Sequence, residues 1–265
     1  MKKKVLITGI SSKLSIYFIN FIKDDYEING ITHSKNFKNK SINKTFFLDF
    51  EDKHLKNEIN SSDIIIHFAW SRISKDNYQN KRLTSFLIDH KNKTTRLYFI
   101  SSASIHKNAL SNYARQKYEV SKIMNDYQCC NIILGIIEDD NDSQIRSISK
   151  LLKLLPFQVY FKQNIFNTYI VDINSFCLKF SDIINKEIYY KNIVIVDKIL
   201  SNNELFKYVK NKYKISDKVN LKVGIHSINM VIMILKYFNS KLGFFDKILT
   251  FISKDDKWLE KLDRY

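Results

Sequence analysis

A chain of 265 residues is long enough to bury a sizeable core, as one large domain or as a domain with a smaller lobe. Its 43 basic and 27 acidic residues give a formal charge of +16, but the lysines are scattered, with no block longer than Lys2-Lys3-Lys4, so no nucleic-acid-binding stripe is expected. The three cysteines include the adjacent pair Cys129-Cys130, which cannot easily form an ordinary disulfide, and no Cys/His spacing suggests a metal site.

Only 5 glycines and 1 proline are present, against roughly 7% and 5% in average proteins. Lysine, asparagine and isoleucine are abundant, which fits a codon bias toward A and T. Much of the charge is therefore read as a solvated lysine-rich surface, although a positive field also suits an anionic ligand such as a nucleotide. The apolar stretch after the first lysines is too short for a signal peptide, and the run 230–235 falls far below the roughly 18 residues of a membrane span. A cytoplasmic protein is expected, and no attachment to a membrane surface.

The first element is a short buried strand over 5–8. Leu14, Tyr17, Phe18, Phe21 and Ile22 then mark one face of a helix. Apolar runs at 27–32, 45–48, 63–68, 97–101 and 131–134 predict further strands, with helix-length segments around 80–89 and 113–127 between several of them. Strands alternating with helices argue for an α/β protein with a doubly wound parallel sheet and right-handed crossovers. Beyond Leu134 the pattern predicts a helix over 145–155 that stops near Pro156, and a strand at 169–171 leading into a helix through Phe180. A strand at 193–196 and a helix over 203–213 follow, and the remainder is lysine-rich and mostly helical.

Tyr113 and Lys117 are the most informative pair. Four residues apart on a helix, the phenol and the ammonium project from the same face. A tyrosine hydroxyl ordinarily titrates near pH ~10, and a fixed cation a few Å away favours its phenolate. Ser101-Ser102-Ala103-Ser104 precedes the helix, so a serine hydroxyl at a strand end can hold a carbonyl or alcohol against the tyrosine. Such a set moves a proton and requires a hydride donor.

Around this pair stand Val5-Leu6-Ile7-Thr8-Gly9-Ile10-Ser11-Ser12-Lys13-Leu14-Ser15, Leu48-Asp49-Phe50-Glu51-Asp52, Asp63-Ile64-Ile65-Ile66-His67-Phe68-Ala69, Asn80 and Tyr169-Ile170-Val171-Asp172. In order and spacing this set resembles the extended short-chain dehydrogenase/reductases, the NAD-dependent epimerase/dehydratase family. The resemblance implies a Rossmann-type, NAD(P)-binding core over 1–134 and a small C-terminal substrate-binding lobe over 135–265, with 165–197 returning to the core sheet. Ser102, Tyr113 and Lys117 would be the catalytic set, Tyr113 as acid/base and Lys117 also bonding the nicotinamide ribose. Gly9, Ser11, Ser12, Lys13 and Leu14 would receive the cofactor diphosphate at a helix N-terminus. Asp49 and Phe50 would approach the adenine, and backbone at Phe68 and Ala69 would pass close to the cofactor. At the end of the second strand, His33 and Lys35 stand where an acid would bind a ribose 2′-hydroxyl, which leans toward NADP over NAD. Asn80 falls at a structural asparagine of the family, whereas His67 reads more simply as a packed histidine.

The family's turn usually reads Thr-Gly-x-x-Gly-x-x-Gly, and only Gly9 is retained, with Ser12 and Ser15 at the other two positions. The loop between Ser102 and Tyr113 is shorter than is usual, Gly135 stands where an arginine is common, and Ser121 where a glutamate often follows the lysine. The implied activity is reduction or epimerisation of a nucleotide-activated (4-keto) sugar in bacterial surface-polysaccharide biosynthesis. A dehydratase would need a carboxylate pair beside the tyrosine. The segment 244–262 resembles the tail of sugar-nucleotide 4-ketoreductases and 4-epimerases, although its apolar spacing also suits an amphipathic helix packed on the core. A homodimer formed through two helices per subunit is implied. The alternative is a catalytically silent nucleotide-binding regulator or scaffold of the same fold, for which the serines in the turn are the main support.

Overall fold

Runs of consecutive apolar residues, rather than alternation, build the central strands, as expected where both faces of a sheet are covered. The computed structural model describes residues 2–34, 37–71, 77–139, 144–154, 156–162, 167–223, 259 and 262–265. In chain order β1 (Lys4–Thr8) runs into α1 (Lys13–Ile22), β2 (Glu27–Thr32), β3 (Lys44–Phe47), α2 (Lys53–Ser61), β4 (Ile64–His67), α3 (Tyr78–His90), β5 (Arg96–Ser102), α4 (Asn112–Asp126) and β6 (Cys130–Leu134). Next come β7 (Ile136–Glu138), α5 (Gln144–Leu154), β8 (Gln158–Phe161), β9 (Asn167–Asp172), α6 (Ile173–Asn185), β10 (Asn192–Ile195), β11 (Lys198–Ser201), α7 (Asn202–Lys212), β12 (Asn220–Val223) and β13 (Asp263–Arg264).

The central sheet is ordered β3-β2-β1-β4-β5-β6 and is continued by β10 and the edge strand β13. β1 pairs in parallel with both β2 and β4, β2 with β3, and β4 with β5. Strand order therefore reverses between β1 and β4, the switch point of a doubly wound Rossmann-type sheet. The expected α/β class and parallel sheet are what the chain forms.

The chain divides into two compact units. One comprises Met1–Ser101, Glu119–Ile133 and Cys177–Ile193, and the other Ser102–Tyr118, Leu134–Phe176 and Val194–Tyr265. In the first, Leu6, Ile65, Leu97 and Phe99 of the sheet pack with Leu55 and Ile59 of α2, Leu83 and Leu87 of α3 and Met124 of α4. A second aromatic group joins Phe18 of α1 to Phe180 of α6 (4.8 Å between centroids), and Tyr98 meets Phe180 and Tyr189 edge-on. Both phenols reach backbone: the buried Tyr98 donates to Ile188 O at 3.2 Å, and the half-buried Tyr189 donates to Leu97 O at 3.1 Å. Burial raises both phenol pKa values. Asn131 of β6 is fully buried, and its amide nitrogen lies within hydrogen-bond distance of Asn125 Oδ1 (2.8 Å), Ser121 O (3.1 Å) and Asn192 Oδ1 (3.1 Å), so that its two protons join β6 to α4 and the start of β10.

In the second unit β7 pairs in parallel with β9, β9 antiparallel with β11, and β8 in parallel with β12. The strand at 169–171 thus belongs to this smaller three-stranded sheet, while β10 joins the central one. Ile145 and Leu152 of α5 pack with Ile170, Leu205 and Val209. α7 opens on a capping box, Ser201 Oγ accepting from Glu204 N and Glu204 accepting from Ser201 N. Residues 220–223, within the stretch expected to be mostly helical, form β12 instead, because β8 offers them a parallel partner. The segment 224–258, with most of the tail at 244–262, lies outside the described residues.

A buried carboxylate ties α7 to β7. Glu138 is 7% exposed, Lys212 Nζ lies 2.6 Å from its Oε1, and the Tyr208 hydroxyl lies 2.7 and 2.8 Å from its two oxygens. Burial pushes this carboxyl up, but hydrogen bonds from Lys212 and Tyr208 outweigh it and hold the carboxyl below its ordinary value. A depressed carboxylate contributes stability that is present above its unfolded value and lost as pH falls through its folded one. Glu138→Ala should cost about 1–3 kcal/mol at neutral pH by removing the carboxylate that Tyr208 and Lys212 both contact, and the loss should shrink below pH ~4. Urea unfolding at both pH values checks this. An equal loss at both would remove the ionised carboxylate from the account.

Candidate active site

The turn after β1 is governed by backbone approach. Gly9 has φ +69°, and a Cβ placed on it would lie 2.6 Å from both N and Cα of Ala69 and 3.1 Å from Phe68 C. The contact with Ala69 backbone leaves no space for a Cβ, and the positive φ adds a backbone cost for most L-residues. The same crossing is fastened from both sides. Phe68 N donates to Thr8 O at 3.3 Å, and Ala69 N donates to Thr8 Oγ1 at 3.1 Å. Gly9, Phe68 and Ala69 are therefore brought together at the ends of β1 and β4.

Ser12 and Ser15 do not need glycine's freedom. Ser12 sits at φ −74°, ψ 145° as the N-cap of α1, its hydroxyl accepting from Ser15 N at 3.2 Å. Ser15 is fully buried, and its hydroxyl lies 2.8 Å from both Gly9 O and Ser12 O. Two serine side chains thus close the turn onto the helix, a job no glycine can do. Ser11 and Lys13 are exposed and Leu14 is half-buried around this N-cap.

His67, 1% exposed, uses both ring nitrogens: Nδ1 lies 2.8 Å from Thr8 Oγ1 and Nε2 3.3 Å from Thr84 Oγ1. It is a packed histidine. Asn80 acts as a splint, accepting from Ser71 N at 2.8 Å and donating to Ser71 O at 3.0 Å and Asn77 Oδ1 at 3.0 Å. Asn77 has φ +60°, and Glu119, which it meets, also pairs with Lys81 at 2.6 Å.

His33 is exposed beyond β2, and Lys35 lies outside the described residues. Asp49 is exposed and its carboxylate accepts from Glu51 N at 2.9 Å, opening the turn that leads to Asp52, the N-cap of α2. Phe50 packs edge-on against Phe86 at 5.1 Å, with the Arg82 guanidinium 4.0 Å from its ring centroid. Both residues thus carry local structural work.

The proton-transfer candidates belong to the second unit. Ser111 caps α4, accepting from Ala114 N at 3.0 Å, so Tyr113 and Lys117 lie in its first turns. Lys117 is 6% exposed, its Nζ 5.5 Å from the centroid of the half-buried Tyr113 ring. Ser102, at the end of β5, is half-buried; its Oγ lies 2.9 Å from Ser104 Oγ and accepts from Ser104 N at 3.3 Å. Ser104 thus joins the expected catalytic residues, and its Ser-x-Ser spacing from Ser102 is its one signal in the sequence. Ser121 faces Ser101, the two hydroxyls 2.9 Å apart in the first unit's core, where a glutamate would bury a charge. Gly135 has no room for any side chain, since a Cβ there would lie 2.4 Å from Tyr169 O. Among the described residues no group of His, Cys, Asp and Glu is arranged to hold a metal ion, and no helix is long and apolar enough to cross a membrane.

No family model matches the sequence, and no curated protein does. Solved structures do share the fold. The chain is similar to a UDP-N-acetylglucosamine 4-epimerase from Bacillus cereus, at 17% identity and TM-score 0.63, over 84% of this chain and 88% of that one. It is similar to a nucleoside-diphosphate-sugar epimerase from Staphylococcus aureus, at 12% identity and TM-score 0.67, over 95% and 88%. It also resembles a UDP-glucuronic acid 4-epimerase from Bacillus cereus in complex with NAD, at 16% identity and TM-score 0.62, over 83% and 87%. At these identities the likeness establishes a Rossmann-like α/β fold.

The turn yields a contrast. Gly9→Ala should lose at least about 1–2 kcal/mol from the positive φ alone, with the Ala69 contact adding to it. Ser12→Gly should lose only a few tenths, because glycine is a tolerable N-cap, whereas Ser12→Ala should lose about 1 kcal/mol. Denaturant midpoints of the three variants check the order, and a Ser12→Gly loss equal to that of Gly9→Ala would overturn it.

Proposed function

We propose that the chain is an NAD(P)-dependent enzyme that reduces or epimerises a nucleotide-activated sugar at a keto or hydroxyl carbon, with C4 the favoured position. The observation that carries this reading is Lys117, a nearly buried ammonium 5.5 Å from the Tyr113 ring and one helical turn away. Desolvating a lysine costs several kcal/mol, and a packed helix face would be better served by leucine. The fold's likeness to UDP-sugar 4-epimerases supports the choice of substrate class.

The residues of the first unit fit a dinucleotide. The β1–α1 turn stands at the switch point of the sheet, Gly9 allows its close crossing, and Ser12 places a hydroxyl at the N-terminus of α1. Ser11, Ser12, Lys13 and Leu14 would hold the diphosphate, Asp49 and Phe50 the adenine side, and Phe68 and Ala69 would line the approach. His33 and Lys35 lean the choice toward NADP. When bound, the nicotinamide supplies or accepts the hydride.

Tyr113 works on the proton. In reduction its oxygen gives a proton to the developing alkoxide, and in oxidation it takes one from the substrate hydroxyl. Lys117 favours the phenolate through its charge. Ser102 Oγ hydrogen-bonds the same substrate oxygen. The part of the second unit beyond Gly135 is the proposed lobe for the sugar nucleotide, and a homodimer in surface-polysaccharide synthesis is the proposed setting. The alternative is a catalytically silent nucleotide-binding protein of the same fold; the N-cap conformation of Ser12 and the hydrogen bonds of Ser15 give the two serines a structural reason in the turn.

Fluorescence titration with NADPH and NADH should show binding. Tyr113→Phe should lower turnover of UDP-N-acetylglucosamine, UDP-glucuronic acid or a UDP-4-keto sugar by roughly 10²–10⁴-fold and leave cofactor affinity nearly unchanged. Absence of cofactor binding, or full activity of the phenylalanine variant, would overturn the reading.

A further inference from the structure

The loop after β5 contains a hydroxyl pair whose geometry constrains what Ser102 can do. Ser102 Oγ accepts from Ser104 N at 3.3 Å and lies 2.9 Å from Ser104 Oγ. Ser104 is 3% exposed, whereas Ser102 is half-buried. The loop that presents them is pinned at both ends. Ala103 N donates to Leu134 O at 2.8 Å, and Ile105 N donates to Ser102 O at 3.1 Å. Neither serine backbone is free to drift.

A serine hydroxyl has one proton and two lone pairs. The Ser104 amide already takes one lone pair of Ser102. If the Ser104 hydroxyl donates as well, the second lone pair is occupied and the Ser102 proton is the only capacity left, directed away from Ser104. A hydroxyl so saturated is a dedicated donor, held in place before any substrate arrives. That is the arrangement that stabilises charge developing on a reacting oxygen, because no reorganisation is needed at the moment of reaction.

We propose that Ser104 is a positioning residue that fixes Ser102 as a hydrogen-bond donor to the reacting oxygen. This rests on the proposed function, which places Ser102 against that oxygen. Both serine protons stay on their own oxygens throughout; the transferred proton is that of Tyr113. Ser104→Ala frees one lone pair of Ser102 and lets its hydroxyl rotate into unproductive directions, while Ser104→Thr keeps the donor.

The test is a kinetic cycle on the full chain, with the three sugar nucleotides named above as probes. Ser104→Ala should lower kcat roughly tenfold, a fraction of the loss from deleting an oxyanion donor outright, with KM, NADPH affinity and melting temperature unchanged. Ser104→Thr should restore kcat. In a Ser102→Ala background, Ser104→Ala should cost nothing more, since a residue acting through another loses its effect with it. An equal loss in both backgrounds, or parallel shifts in KM and melting temperature, would make Ser104 structural and overturn the proposal. Full activity of Ser104→Ala, alongside an inactive Tyr113→Phe, would overturn it alone. An active Tyr113→Phe would overturn it together with the reading it rests on.

Discussion

The first unit hangs on a backbone crossing in which Gly9 lies against Ala69 with no space for a Cβ. From that contact the neighbouring elements take their places. Thr8 holds Ala69 and His67, His67 reaches Thr84, and Thr84 donates to Asn80 O at 2.8 Å. Asn80 in turn clasps the backbone of Ser71 on both sides. A short relay of buried polar groups therefore carries the position of the β1–α1 turn into the start of α3. The low dielectric around them makes each partner necessary, since an orphaned member would cost its full desolvation.

This constraint sorts the turn's residues by conformation rather than by identity. Serine can stand in place of glycine wherever both the backbone conformation and the surrounding space admit a side chain. Position 9, at positive φ and in contact with backbone, is not such a place. Position 12 is, and serine there adds a cap. Gly135 obeys the same logic in the second unit, where the carbonyl of Tyr169 occupies the space of a side chain.

Much of this was legible in the sequence, and the misses have physical causes. Strands covered on both faces read as unbroken apolar runs, which is why β1, β2, β4, β5 and β6 stand close to their expected bounds. α2 escaped notice because only Leu55 and Ile59 face the core in an otherwise polar segment. β7, β8, β11 and β12 are three or four residues long and exist through their partners, which no local pattern announces. Tyr113 and Lys117 were legible because helix periodicity alone sets their common face. The Ser102–Ser104 contact and the Ser12–Ser15 closure depend on loop and cap dihedrals, and His33, Asp49 and Phe50 depend on how chain ends turn away from the sheet.

Glu138 and Ser102, both in the second unit, use their hydrogen-bonding capacity differently. Glu138 is met by both Tyr208 and Lys212, so its charge is spent inside the protein and serves the joint between β7 and α7. Lys198 extends the same cluster, 3.3 Å from the Tyr208 hydroxyl. Ser102 is different. Its Oγ accepts from Ser104 N and lies 2.9 Å from Ser104 Oγ, on a residue that is half-buried. Burial penalises a polar group left without partners, and Glu138 is met by three short contacts. A group kept for chemistry would be filled on all sides but one, and the proposed donation from Ser104 would leave Ser102 that one side.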